Sequence, residues 1–449
     1  MTLASTAFVA QVGRDELAGV GLGGVFAFAL VCFGIGLLRG AKTLVSQAIG
    51  AGRHDRLDAL LGAALGLAVG FGAFAALVGH VLAPFLVEIS ASPRAGGFAA
   101  QYLMIRSLGA VPLLILVALR EARYGQGDTT GPMRATLAAN GVNIALDALL
   151  ILGLDWGVRG AAVAALCGNA VELAMIAWPM RAALRRVRWE RSAVRAVWQQ
   201  GLPNGLQFLM EVGSFLFLTA IIARMSATDG AAHQIVLHLI NVSFLPAHAL
   251  AEAASVLVGQ AVGAGRFELV PRVAWRALAA GGGYALVCVV AFASTGGLIA
   301  GAFAGDDAAL AAAATTLVHV SLLFLVADAA NVIARGVLRG ASDVRYAAFV
   351  GILTSWCTTP PVAWLLGIHL GMGAAGGWLG LAGEIIVGAS LFWLRVWSGK
   401  WRSAADLARR NMVSARRDAP QVDVTTEVAP VELDDEDDED DDASIEAVA

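Results

Sequence analysis

The stretch LVSQAIGAGR at residues 44–53 returns as LVGQAVGAGR at residues 257–266, with eight of ten positions identical at an offset of 213 (257 − 44). The register continues downstream, where Gly125-Gln-Gly-Asp128 matches Gly340-Ala-Ser-Asp343 at an offset of 215 (340 − 125). A self-match at so long a period predicts that the chain contains two copies of one structural unit.

The composition of the chain indicates whether the two copies fold in water or in a membrane. The 449 residues are 58% apolar and 15% charged, and their mean hydropathy is +0.71, which is too apolar for soluble domains. Apolar stretches recur along the whole chain, whereas a signal peptide or a single anchor would give one. The sequence therefore predicts an all-α polytopic membrane protein.

A hydrocarbon core of about 30 Å takes roughly 20 helical residues, and this length places the spans. The predicted intervals are 17–39, 58–82, 98–119, 133–154, 160–181, 199–223, 231–257, 273–300, 311–334, 346–368 and 373–396. Residues 1–12 are apolar but too short to span, so we expect an incomplete or re-entrant first helix and about 12 helices in total. Six spans separate equivalent points, an even number, so the two six-helix repeats should be parallel.

The predicted spans and the charged segments divide the chain into four parts. We predict an N-terminal lobe at 1–185, a cytoplasmic linker at 186–198, a C-terminal lobe at 199–397 and a cytoplasmic tail at 398–449. Residues 418–449 hold 14 of the 35 acidic side chains and no basic one, so the tail should be disordered from about residue 418.

The basic side chains predict the orientation. Segments 39–56, 120–134, 181–195, 263–276, 335–345 and 395–417 carry 26 of the 31 Lys and Arg residues, and all of them fall on one side of the predicted bundle. The positive-inside rule places this side, and the C-terminus, in the cytoplasm. Arg106 is the only basic residue that lies clearly within a predicted span.

Polar side chains within spans are functional candidates, because exposing an ionisable group to lipid costs a few kcal/mol or more. They recur three or four residues apart, which puts them on single helical faces. A buried carboxyl can exchange a proton or Na⁺, so Glu211, Asp328 and Asp147 are predicted to couple transport to a cation. Possible cavity-lining residues are Asn204, Gln207, Ser214, Asn241, Glu252 and Asn331. Structural hydrogen bonds between helices remain the alternative for the Asn and Ser residues.

Other kinds of site find little support in the sequence. His233 and His238 are five residues apart, which does not put them on one face as metal ligands. The four cysteines lie far apart in apolar segments and indicate neither a disulfide nor a zinc site. We therefore expect no cofactor and no metal site other than a site for the coupling ion. If that ion is Na⁺, it could bind at Glu211 and Asp328. We also expect no enzymatic activity and no nucleic-acid partner.

Four motifs together resemble the multidrug and toxic compound extrusion (MATE) family: the paired LVxQAxGAGR segments, GLPNGLQFLMEVGSF, GAAHQI and ADAANVIARGVLRGASD. The likeness covers about residues 5–397. It implies two six-helix lobes in a V-shaped bundle, alternating access, and export of cationic or amphipathic compounds in exchange for Na⁺ or H⁺. We accordingly expect a monomer in the inner membrane of a bacterium, with membrane lipid and small solutes as partners.

The resemblance also implies roles for single residues. Glu211 and Asp328 match carboxylates tied to cation coupling in the C-terminal lobe, and Asn143 and Asp147 match an NxxxD pattern tied to proton coupling in the N-terminal lobe. The family's first-span Asp falls near Ser5, and the aromatic hydroxyl before Asp328 is replaced by Phe324. Coupling is therefore expected mainly in the C-terminal lobe.

Three rival functions remain open at this point, and one of them is a passive channel or receptor, which an imposed ion gradient would not drive to move solute uphill. A flippase for lipid-linked precursors, from the same superfamily, would be expected to line its cavity with several Arg or Lys residues. A membrane-embedded enzyme would need a cluster such as HExxH, and the sequence contains none.

Overall fold

The computed structural model describes residues 2–90 and 92–414, and these residues fold into α-helices joined by short turns without any β-strand. The predicted disordered segment from about residue 418 lies outside them. Nine of the described helices are long and apolar enough to cross a membrane. Two bent pairs raise the number to eleven when each pair counts as one span, and all eleven predicted intervals coincide with these helices or pairs.

The first repeat contains nine α-helices, one π-helical segment and two short 3₁₀ helices, His54–Arg56 and Ala83–Phe85. The α-helices are α1 (Thr2–Val9), α2 (Arg14–Gly50), α3 (Leu57–Leu82), α4 (Leu86–Ile89), α5 (Pro93–Leu108), α6 (Ala110–Gly125), α7 (Thr130–Asp147) with the π-helical segment Ala148–Gly153, α8 (Gly157–Ala177) and α9 (Arg181–Arg185).

The second repeat follows the same order. It consists of α10 (Arg191–Met225), α11 (Ala227–Gly263), α12 (Leu269–Ala304), α13 (Ala308–Leu322), α14 (Leu325–Gly340), α15 (Val344–Cys357), α16 (Thr359–Val362) with the π-helical segment Ala363–His369, and α17 (Gly373–Trp397). Helix α18 (Arg402–Ser414) comes after it.

The helices confirm the internal repeat. Helices α2 and α11 both have 37 residues, and both their first and last residues differ by the offset of 213 found in the sequence (227 − 14 and 263 − 50). Helices α5 and α6 bend by 50° at their junction, and their counterparts α13 and α14 bend by 51°. Each repeat thus contains the same broken span at the same place.

The two repeats meet at one end of the bundle, which we call the turn end because it carries the GAG turns at residues 50–52 and 263–265. A Cβ atom on Gly36 would lie 2.8 Å from Asn204 O, and one on Gly40 would lie 2.6 Å from Gly201 N, so α2 and α10 approach closely here. At the other end, α2 packs within its own repeat, with Gly23 against Tyr102 of α5. The repeats therefore form a V that is closed at the turn end.

Several helices extend further than the hydropathy pattern predicts. Helix α2 runs on to Gly50 instead of ending near residue 39, and α14 runs on to Gly340 instead of ending near residue 334. Helix α10 begins at Arg191, inside the predicted linker at 186–198. The physical reason is that a helix continues past the first charged residue as long as a neighbouring helix covers it, whereas a hydropathy window stops there.

Candidate functional site

A group of charged side chains lies between the repeats, close to the turn end. The positions follow from helix periodicity, since Arg39 and Lys42 on α2 are three residues apart and Arg335 and Arg339 on α14 are four apart, so each pair occupies one face. We call the following set the charged centre: Arg39 and Lys42 (α2), Glu121 (α6), Glu211 (α10), Glu252 (α11), and Arg335 and Arg339 (α14).

Lys42 joins the two repeats through an ion pair. Its Nζ atom donates to Glu252 of the second repeat and lies 3.4 Å from Glu121 Oε2 of the first. Lys42 is 3% exposed and Glu121 is 5% exposed, so both charges are removed from water. His248 Nε2 lies 3.7 Å from the other carboxylate oxygen of Glu252. A buried ammonium with a carboxylate from each repeat couples their relative position to charge.

Glu211, one of the predicted coupling residues, is paired with an arginine. Arg335 Nη1 donates to Glu211 Oε1 at 2.7 Å, and Gln207 Nε2 donates to the same oxygen at 2.8 Å. Arg335 Nε also donates to Asn331 Oδ1 at 2.7 Å. Gln207 and Asn331, both predicted to line the cavity, thus position the ion pair between α10 and α14.

Asp328 and Glu384 are the other carboxyls near this ion pair. Asp328 lies seven residues before Arg335 on α14, which places the two side chains two turns apart on one face. Glu384 on α17 accepts a hydrogen bond from Thr359, and its electrostatic neighbours are Glu211, Arg335 and Asp328. The second repeat therefore has three carboxyls in the electrostatic surroundings of Arg335, and Glu211 is the one that forms an ion pair with it among the described residues.

The predicted site in the first repeat is separate and smaller. Ser5 Oγ donates to Asp147 Oδ2 at 2.7 Å, and both residues are buried. The other oxygen of Asp147 and both amide atoms of Asn143 are buried without a hydrogen-bond partner among the described residues. The residue at the position of the family's missing acid thus contacts the predicted carboxyl directly.

The remaining predicted cavity residues divide into two kinds. Ser214 Oγ donates to Ser355 O at 2.8 Å, Asn204 Nδ2 to Gln200 O at 3.2 Å and Asn331 Nδ2 to Ile385 O at 3.0 Å. These are structural hydrogen bonds within or between helices. Asn241 is exposed, and Glu252 belongs to the charged centre.

Most of the charged centre was not predicted from the sequence. The hydropathy pattern places Arg39, Lys42, Arg335 and Arg339 in connecting loops, but all four lie on α2 or α14. Their three- and four-residue spacing was a usable signal, because it continues the helical faces beyond the predicted span ends.

The arrangement of the acidic side chains limits how a cation could bind. In the described residues no three His, Cys, Asp or Glu side chains lie close enough together to hold a metal ion. Glu211 and Asp328 could ligate Na⁺ only if the ion competed with Arg335 for Glu211. Arg335 is thus the counter-ion of Glu211 in this structure.

Two parallel repeats of membrane-spanning helices around a polar interface define the class of secondary-transporter folds. The family model named MatE matches residues 1–149 and 203–365, which is more than half of the chain. The chain belongs to this family of transporters. It is an integral membrane protein, and membership places it among transporters and not among enzymes.

Relatives of known family extend over nearly the whole chain. The "Probable multidrug resistance protein NorM" of Pseudomonas syringae pv. tomato is 30% identical over 92% of this chain and 93% of its own length. The protein of the same name from Bradyrhizobium diazoefficiens is 32% identical over 88% of each.

Solved structures match the fold at lower sequence identity. A MOP superfamily transporter from Pyrococcus furiosus gives a TM-score of 0.83 at 21% identity, covering 90% of this chain and 91% of its own. The eukaryotic MATE transporter AtDTX14 gives 0.83 at 18% identity, covering 92% and 94%. These likenesses confirm the predicted all-α membrane-protein fold, whereas the described residues give nine to eleven candidate spans and not the predicted number of about 12.

Proposed function

We propose that this protein is a secondary active antiporter that exports cationic or amphipathic drugs by alternating access in exchange for Na⁺ or H⁺. The observation that carries the proposal is the ion pair between Glu211 and Arg335, which lies between helices of the second repeat beside the repeat interface. Relatives named for multidrug resistance over about nine-tenths of the chain support the same class of solute.

The coupling mechanism follows from competition for carboxylates. A proton or Na⁺ that binds at Glu211 and Asp328 weakens the attraction of Glu211 for Arg335, which frees α14 to move relative to α10. Because the bound ion and a cationic solute would be attracted to the same carboxyls, arrival of one favours release of the other. Asp147, with Asn143, is a second protonatable centre in the first repeat.

The orientation rests on the distribution of basic residues. With the six basic segments in the cytoplasm, the turn end faces the cytoplasm and the open end of the V faces outward. The structure then represents the state that releases solute to the outside. The same rule puts the C-terminus in the cytoplasm, and the bacterial relatives support an inner-membrane location for a monomeric transporter.

A second candidate, a flippase for lipid-linked precursors, is favoured by one observation. Such a carrier needs several basic residues at its cavity, and the interface contains Arg39, Lys42, Arg335 and Arg339. The relatives' names favour drug export, so the flippase ranks second.

The two functions are separated in a host that lacks its own efflux pumps. Expression of the protein should raise resistance to a panel of cationic dyes and antibiotics, and removal of external Na⁺ should lower it if Na⁺ is the coupling ion. Unchanged sensitivity to the whole panel in cells with confirmed membrane expression, together with rescue of a precursor-flippase deficiency, would replace drug export by lipid translocation.

A further inference from the structure

Two of the four cations in the charged centre lack a carboxylate partner. Lys42 is paired with Glu121 and Glu252, and Arg335 with Glu211, but Arg39 and Arg339 form no ion pair with any residue in the described ranges 2–90 and 92–414. The Arg339 Nε atom is buried and has no hydrogen-bond partner among these residues. The centre thus contains four cations and three carboxylates, and its free donors belong to guanidinium groups.

The two guanidiniums face the same interface from opposite repeats. Arg39 belongs to α2 of the first repeat and Arg339 to α14 of the second, and each is among the charges that act on this centre. Glu121 and Glu211 are the carboxylates in the surroundings of both arginines, but neither forms an ion pair with Arg39 or Arg339. Arginine stays ionised throughout the physiological pH range, so two such charges at one interface favour the binding of a further anion.

The surroundings of Arg39 add an apolar contact. Its guanidinium lies 5.1 Å from the centre of the Phe208 ring, and the Phe28 ring meets Phe208 edge-on at a centroid distance of 6.0 Å. Phe28 is 44% exposed. A ligand whose acidic group meets the guanidinium would therefore find an aromatic surface for its apolar part.

We propose that Arg39 and Arg339 bind the acidic group of an amphipathic solute, a carboxylate, sulfonate or phosphate, while Phe208 and Phe28 contact its apolar part. Guanidinium forks match the planar geometry of carboxylate and phosphate oxygens and bind them through paired hydrogen bonds. This inference rests on the proposed export function and extends its solutes from cations to zwitterions and acids. The acidic group could belong to a soluble compound or to a lipid headgroup.

The test compares two probes that differ only in the acidic group. The purified full-length protein in phosphatidylcholine nanodiscs is titrated with a carboxylated xanthene dye and with its ethyl ester, and binding is followed by fluorescence anisotropy. The wild type should bind the acid more tightly than the ester. Arg39→Gln and Arg339→Gln should each weaken binding of the acid by roughly tenfold and binding of the ester by less than about twofold.

Conservative variants and lipid composition sharpen the result. Arg39→Lys and Arg339→Lys keep the charge without the planar fork, and we expect an intermediate loss for the acid alone. If phosphatidylglycerol displaces the acid from the wild type, a headgroup can supply the group; if it does not, while the dye selectivity persists, the source is a soluble solute. Equal affinity of the wild type for the acid and the ester would overturn the proposal. It would also be overturned if the Gln and Lys variants lost affinity for the acid and for the ester to the same extent.

Failure here is distinct from failure of the proposed function. An imposed ion gradient could drive the ester against its concentration gradient in proteoliposomes while the Arg variants leave binding of the acid unchanged. That result would support the export function and contradict the acid-binding site. If the ion gradient drives neither dye against its concentration gradient, the export function is contradicted, whatever the binding titration gives.

Discussion

Lys42 of α2 and Glu252 of α11 form an ion pair that spans the interface between the two repeats at the turn end. The two helices are repeat counterparts, yet the pair is asymmetric, because the residue equivalent to Lys42 at the offset of 213 is Ser255. Glu121 shares the same ammonium from within the first repeat. The contact therefore closes the turn end through a charge that only one repeat supplies.

Breaking this ion pair should loosen the turn end. Lys42→Met leaves two carboxylates without their cation, and we expect a loss of about 2–4 kcal/mol in stability, measured by denaturant unfolding in detergent. Glu252→Gln should cost less, because Lys42 keeps Glu121 as a partner.

The same variants should change access to the interface. In Glu252→Gln, a cysteine at the buried position Ser46 should react with a membrane-impermeant maleimide faster than in the wild-type background. Unaltered labelling at Ser46→Cys would show that the ion pair does not hold the repeats together.

Helix α18 should contribute to the same closure. Trp401 and Ala405 pack in the hydrophobic core of the second repeat, while Met412 packs in that of the first. Arg53 Nη1 donates to Met412 O at 2.9 Å. Met412→Asp should lower the melting temperature by several degrees, because it buries a charge without a partner. Val413→Asp, at a neighbouring position that is 50% exposed, is the matched control and should have little effect.

The space beside Glu211 offers a test that leaves every charge in place. A Cβ atom on Gly351 of α15 would lie 2.7 Å from Glu211 Oε1 and closer still to Gln207 Nε2, which donates to that oxygen. Gly351→Ala should therefore displace the hydrogen-bonded pair of Gln207 and Glu211 and reduce ion-driven transport several-fold while the protein still folds. Gly282→Ala on α12, where nothing lies within 4 Å of an added Cβ, is the control. Equal transport by both variants would mean that the position of Glu211 is not critical.

The first repeat should be the lesser coupling centre. Ser5→Ala removes the 2.7 Å hydrogen bond that Ser5 donates to Asp147, whereas Asp147→Asn keeps an acceptor oxygen and removes the ionisable carboxyl. Because this site is distant in the chain from Glu211 and has one carboxyl, we expect slower transport that still follows the ion gradient, measured as initial dye efflux at several external pH values. Complete loss of gradient dependence in Asp147→Asn would make the first repeat the main coupling centre.

The sequence predicted the repeat and the spans because both depend on local patterns. The paired LVxQAxGAGR segments mark the end of α2 and α11, and long apolar intervals mark the helices that cross the membrane. The bends between α5 and α6 and between α13 and α14 were not predicted, since they depend on packing within each repeat.

The site was only partly predictable. Glu211, Asp328 and Asp147 stand out because a carboxyl in an apolar span is costly. Their partners do not, because the pairing of Glu211 with Arg335 joins residues 124 positions apart and the pairing of Ser5 with Asp147 joins residues 142 apart. Arg39 and Lys42 were not predicted as site residues because a hydropathy pattern places the end of a span at the first charged residue.

The most direct measurement is gradient-driven efflux in proteoliposomes that contain the wild type, Glu211→Gln or Asp328→Asn. Glu268→Gln and Asp306→Asn, which change exposed carboxyls, serve as controls. We predict that an imposed Na⁺ or proton gradient drives uphill dye movement in the wild type and both controls, and that Glu211→Gln and Asp328→Asn reduce it at least tenfold. Full gradient-driven efflux in Glu211→Gln and Asp328→Asn would contradict the assignment of coupling to these carboxyls.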